Sequence, residues 1–237
     1  NMVEVSLPTA GGAVKKKAYR HGDLRNAIIQ EATARARALG EKAIVLREIA
    51  PVIGVSATAA YRHFASRQKL VEEVSARGYL EMRERVTLPA VSGSDADPRL
   101  GAYLDMRNAA IAMVRFAVDE PAWARMMMET VGEPGPVAAA VEQVQDVMQG
   151  LVNRGIAAGT FKPGVEVRDE RVLWAGIDGL ACHAMFGIAP MDTPEADDVT
   201  ARTIDLCLTD MLTEEGLRAR DAAALPNRVA TAVPRSS

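Results

Sequence analysis

"LREIAPVIGVSATAAYRHF", residues 46–64, is the stretch that decides the fold. Leu46, Ile49, Ala50 and Ile53 recur at helical spacing, which predicts a short helix from about 46 to 53. Gly54 ends it, because glycine tolerates the positive φ of a tight turn. Ser56 is a helix cap, and a further helix is expected from there to about Phe64. Val55 supplies an apolar anchor between the two. Helix, glycine turn and helix together make a helix-turn-helix. The second helix is small at Ala57, Thr58 and Ala59 and polar-aromatic at Tyr61, Arg62 and His63. A helix made only for packing carries larger apolar residues. Small residues allow close approach to base edges in a major groove, while Tyr61 and His63 reach phosphates on either side. The alternative is a core helix with a solvated Tyr-Arg-His end.

The flanks favour the DNA reading. From Lys15 to Arg67 there are eleven Lys/Arg against four Asp/Glu, whereas the whole chain of 237 residues has a formal charge of −3. A basic N-terminal part on an acidic body implies an anionic polymer as partner for that part. Upstream, Leu24, Ala27, Ile28, Ala32 and Leu39 predict a helix that Asp23 caps and Gly40 stops. Downstream, Ser66 caps a longer helix with Leu70, Val74 and Leu80 inward.

With these flanks, "LREIAPVIGVSATAAYRHFASRQKLVEEV" (46–74) resembles the TetR family of bacterial transcriptional regulators, whose Tyr-x-His-Phe is followed by a Lys and a Leu. The resemblance covers Asp23 to about Ala76. "YRHGDLRNAII" (19–29) and "LWAGIDGL" (173–180) are similar to a subgroup with a C-terminal Trp and His-Gly. Here Trp174 is present, but Asp178 stands before Gly179. Two further departures are Val45, where a Ser or Thr cap is usual, and Pro51, which removes a backbone donor inside a helix. The resemblance implies that Ser56, Ala57, Thr58 and Arg62 face the major groove. It implies that Tyr61, His63, Lys69 and Arg47 bind phosphate. It makes the run Lys15, Lys16, Lys17 and Arg20 a basic arm that follows the backbone or enters the minor groove.

The expected architecture is all-α. Residues 1–18 form a disordered basic arm and 19–85 the three-helix helix-turn-helix domain with its longer fourth helix. Residues 86–216 form a helical ligand-binding and dimerisation domain, and 217–237 a loosely ordered tail. The loop "LPAVSGSDADPRL" (88–100) marks the boundary. Helices are predicted at 99–119, 121–129, 137–158, 168–188 and 195–215. The last two are the expected dimer pair, with small residues Ala175, Gly176, Gly179, Ala181 and Ala184 permitting close approach.

The second half is rich in soft, bulky residues. Met106, Met113, Phe116, Trp123, Met127, Met148 and Trp174 are candidates to line a cavity for a mostly apolar small molecule, with Asp178 and His183 as polar fixtures; Phe186 also falls on a predicted helix. The same residues read equally as plain core. The helix at 99–119 is the expected lever between ligand and DNA.

Other classes fit poorly. Three His, no nucleophile elbow, no P-loop and no dinucleotide fingerprint argue against an enzyme and against a cofactor. Cys182 and Cys207 match no zinc spacing and imply reduced thiols in a cytoplasmic protein. No run is long and apolar enough to span a membrane. The expectation is a homodimeric repressor, released from a palindromic duplex operator by its ligand. A constitutive DNA-binding protein without a ligand is the alternative.

Overall fold

The computed structural model describes residues 21–87, 97–132, 135–167 and 170–223. The described residues form ten α-helices and no strand. The first four are α1 (His21–Leu39), α2 (Leu46–Val52), α3 (Ala57–Tyr61) and α4 (Arg67–Thr87). The rest are α5 (Pro98–Asp119), α6 (Pro121–Glu129), α7 (Pro136–Ala157), α8 (Arg171–Phe186), α9 (Pro194–Thr209) and α10 (Glu214–Ala222).

Local sequence sets these boundaries. On α1 the buried residues Leu24, Ile28, Ala32 and Ala36 repeat every fourth position, and Gly40 stops the helix at φ +73°. The helix opens at His21, so Asp23 lies within its first turn instead of preceding it. Proline is the first residue of α5, α6, α7 and α9, where its missing N–H costs nothing and its fixed φ already suits a helix. Asp97 and Thr193 add side-chain caps to α5 and α9.

The core sits around α5, which packs against α4, α7, α8, α9 and α10. Its small, repeated Ala109, Ala110, Ala112 and Ala117 are buried together with Met106 and Phe116, so neighbours approach it from several sides. One continuous hydrophobic cluster runs from Leu24 on α1 to Leu212 after α9. The helix-turn-helix unit and the helical body therefore share a core. Leu80 is half-buried and belongs to a small separate cluster with Ala76, Val137 and Ala140, outside that main core.

Three elements differ from expectation. Helix α3 ends at Tyr61, not near Phe64. His63 and Phe64 backbone N–H groups both turn back to the Ala60 carbonyl, and Phe64 plugs the core at 2% exposure. Helix α9 ends at Thr209, not 215. The Lys162 N–H donates to the Met211 carbonyl, and Thr213 begins a new helix by accepting from Gly216 N at 2.9 Å while donating to the Gly159 carbonyl at 2.7 Å. Residues 217–222, expected in the loose tail, thus belong to α10. Arg220 ties that helix back to Thr209 Oγ1 at 2.9 Å. Residues 1–18, most of the 88–100 loop and the stretch from 224 onward lie outside the described residues.

A polar clamp joins α5 to α9. Arg107, 5% exposed, donates from Nε to Asp205 Oδ1 at 2.6 Å, and the Tyr103 hydroxyl donates to the same oxygen at 2.6 Å. Removing the carboxylate leaves a buried guanidinium and a buried hydroxyl without an acceptor. Asp205→Ala is expected to cost about 3 kcal/mol, read as a lower midpoint in urea unfolding, whereas an exposed pair such as Arg218–Glu214 should matter by less than about 0.5 kcal/mol.

Candidate nucleic-acid interface and ligand cavity

The turn between α2 and α3 is built from Gly54, at φ +78°, and from Val55, whose N–H donates to the Ala50 carbonyl at 2.9 Å. Ala60 and Phe64 hold α3 to the core; Val55 and Ala59 pack partly against it. Ser56 Oγ accepts from Ala59 N at 3.2 Å and caps α3. Val45 caps α2 with no side-chain bond, and Pro51 lies inside it, which fits its seven-residue length. Ser56, Thr58, Tyr61 and Arg62 are left exposed together, with Ala57 and His63 half-buried beside them. Arg47 is exposed at the start of α2. Lys69, in the first turn of α4, pairs with Glu72 at 2.7 Å. Lys15, Lys16, Lys17 and Arg20 lie outside the described residues.

The basic excess is narrower than it reads. Arg25 pairs with Glu73, Arg35 with Glu31 and Glu48, Arg37 with Glu81 and Glu120, and Arg67 with Glu41. Those arginines brace the fold. Lys42, Arg47 and Arg62 remain exposed without an ion pair among the described residues.

In the C-terminal half, α4, α5, α6, α7 and α8 surround a cavity of about 420 Å³. Met113, Met127, Trp174 and Asp178 line it. Met106, Phe116, Trp123 and Met148, also candidates from the sequence, are fully buried in packed core and are not part of the lining; His183 is exposed on α8, as is Phe186. Residues that sequence reasoning missed include Tyr79 and Met82 on α4, Val144 and Gln145 on α7, and Met185 on α8. The spacing of Tyr79 and Met82, three apart on a helix credited wholly to DNA binding, was the available signal. Trp174 is held in place by its Nε1, which donates to the Val167 carbonyl at 2.7 Å. Burial pushes the Tyr79 hydroxyl well above its ordinary range, and the charge of Asp178 pushes it further. Burial also raises the carboxyl of Asp178.

The helix-turn-helix unit and the helical body meet at Trp123, behind the cavity wall. Its Nε1 donates to the Val74 carbonyl of α4 at 3.2 Å, and the Arg37 guanidinium of α1 lies 4.4 Å from its ring centre. Arg37 also bonds Glu120 at the α5–α6 junction, and Arg85 of α4 bonds Asp119 at 2.8 Å while covering Phe116. Gly78 lets α6 lie close to α4, since a methyl group there would overlap Met127 Sδ.

Helices α8 and α9 expose an apolar face: Val172, Phe186, Ile188, Val199 and Leu206 are each more than half exposed. The small residues of α8 divide. A side chain at Gly176 would meet Cys207 of α9, and Ala181 lines the cavity, so those two serve packing within the chain. Ala175 is exposed and Gly179 has open space around it. Cys182 and Cys207 are both free. Among the described residues no acidic, His or Cys cluster is placed to hold a metal, and no helix is long and apolar enough to cross a membrane.

A helix-turn-helix unit is thus joined through α4 to a cavity-bearing helical body. Residues 106–207 match the model of the tetracyclin repressor-like C-terminal domain. The fold is similar to that of solved structures described as TetR-family transcriptional regulators. Similar solved structures include a protein with unknown function from Rhodococcus sp. RHA1, with 24% identity, 84% of this chain and 100% of that one covered, and a TM-score of 0.67. A putative TetR-family regulator from Vibrio parahaemolyticus shares 19% identity over 81% of this chain and 100% of its own, with a TM-score of 0.56. A putative transcriptional regulator from Saccharomonospora viridis, in complex with choline, shares 16% identity over 82% of this chain and 100% of its own, also at 0.56. No curated protein sequence matches the chain.

Met127 separates Gly78 from the cavity. Gly78→Ala should therefore drive the Met127 thioether into cavity space. The expected result is a net stability loss of about 1 kcal/mol or less, as helix propensity offsets crowding, with weaker binding of any cavity probe. Thermal melting and titration of Trp174 fluorescence check the two parts separately.

Proposed function

We propose that this protein is a homodimeric, ligand-responsive regulator that represses transcription from a palindromic operator and is released by a mostly apolar small molecule. One observation carries this reading. The single helix α4 bears Lys69 beside the DNA-facing unit and, about 15 to 20 Å further along a rigid rod, Tyr79 and Met82 in the cavity wall. The lever is then α4 itself, with α6 pressed on it, in place of the expected 99–119 helix. A ligand that binds one setting of α4 better than the other shifts the population of the DNA-competent form; equal affinity shifts nothing. The choline held by the Saccharomonospora regulator supports a small-molecule role for a protein of this fold.

The DNA-binding roles follow from exposure and chemistry. Thr58 and Arg62 read base edges; Tyr61, His63, Arg47 and Lys69 grip phosphates; Ser56 and Ala57 set the close approach. The basic residues 15–17 and Arg20 add backbone contacts. The apolar face on α8 and α9 is the two-fold interface, which sets the two recognition helices one helical turn of DNA apart.

Three results test this. Tyr61→Ala should weaken binding to every duplex by roughly tenfold, about 1.4 kcal/mol, while Arg62→Ala changes which duplex is preferred. Selection from a random duplex library reads both, and a library with no enriched inverted repeat sinks the proposal. Leu206→Glu should give a monomer in light scattering at micromolar concentration, with unchanged helicity, because it places charge in an apolar interface. If both the native chain and the variant run as monomers, the two-fold reading fails. Apolar compounds that quench tryptophan fluorescence should also lower operator affinity. Binders that leave DNA affinity untouched would make the chain a constitutive DNA-binding protein.

A further inference from the structure

The cavity wall is nearly all methionine, valine and alanine, with Ile177 and the indole of Trp174. Against it stand three polar groups: the Tyr79 hydroxyl, the Gln145 amide and the Asp178 carboxylate. Among the described residues Asp178 has neither a hydrogen bond nor an ion pair, and no Lys, Arg or His lines the cavity. Asp178 is exposed and yet part of the wall, which places it at the mouth. A carboxylate at an apolar wall with no counter-charge is destabilised by lost hydration, and its raised proton affinity is the mark of that. Tyr79 stands within electrostatic reach of Asp178. Trp174, one turn before Asp178 on α8, has its indole N–H committed to the Val167 carbonyl, so what its side chain offers a ligand is its aromatic surface. Anionic site, aromatic surfaces and soft apolar floor are the complement of one chemistry.

We infer that the cavity selects organic cations: an ammonium head seated against Asp178 beside Tyr79 and Trp174, with an apolar body among the methionines. This rests on the reading of the cavity as an effector site and narrows it. A neutral effector would bury the carboxylate further without compensating it, and an anionic one would be repelled. The cation gains both the counter-charge and the ring faces, each modest at a mouth that water reaches, together about tenfold in affinity.

The test uses three probes on one skeleton: 4-phenylbutylamine, protonated at neutral pH, the neutral 4-phenylbutan-1-ol, and the anion 4-phenylbutyrate. Each is titrated against the full chain by tryptophan fluorescence excited outside the phenyl absorption. The amine should bind about tenfold more tightly than the alcohol, and the butyrate should bind worst. In Asp178→Asn the amine should lose that advantage, while the alcohol changes by less than about twofold. If the alcohol binds the native chain as tightly as the amine, or if Asp178→Asn keeps the preference, the cation assignment is overturned and the apolar effector site stands. If none of the three binds up to millimolar concentration, the effector site itself falls and the cation assignment with it. The ranking on the native chain needs no variant, so a failure of Asp178→Asn to fold does not protect the inference.

Discussion

The structure depends on what is done with one indole. Trp123 is fully buried, and a buried indole N–H must find an acceptor. It finds the Val74 carbonyl of α4. The Arg37 guanidinium of α1 then covers the ring and reaches Glu81 on α4 and Glu120 before α6. Three helices from two functional halves are thereby fixed around one side chain. A guanidinium suits this place because it is planar, always charged and able to stack and bond at once. Neither half can shift far without breaking a bond to the other.

That constraint explains where the positive charge of the N-terminal part goes. Counting residues from Lys15 to Arg67 suggests a surface dominated by cations. Four of the arginines are instead braces, each paired with a glutamate, although Arg25 and Arg67 stay about two-fifths exposed. On the proposed reading of α3 as a recognition helix, few cations nearby mean more selectivity from shape and direct contact than from bulk charge. The long-range field then rests more heavily on the lysines that precede α1.

Much of the fold was legible in the sequence because its signals are local. Helical spacing, a glycine at a turn, serine caps and prolines at helix starts act within a few residues, and they place α1 to α8 to within a few positions. The errors have a tertiary cause. Helix α9 was drawn too long and α10 missed because the break at Asp210–Leu212 is made by Lys162 and Phe161, some fifty positions earlier. The cavity was half legible for the same reason. Residue type identifies Met113, Met127 and Trp174 as soft and bulky, but Met106, Phe116, Trp123 and Met148 are equally so. Which of them meets empty space is decided by how α4, α5, α6, α7 and α8 pack around the cavity. The small residues of α8 likewise cannot be sorted into inward and outward sets until α9 is packed beside them.

The prolines that open α5, α6, α7 and α9 act on more than the native helices. Each removes backbone freedom from the unfolded chain at a position where the folded chain needs no N–H, so each raises stability without adding a contact. Part of the stability of the helical body is thus independent of how tightly its side chains interlock. Such a body can keep an open-mouthed cavity between its helices while its framework stays folded. The firmness of the framework and the shape of the cavity are thus supplied by different parts of the chain.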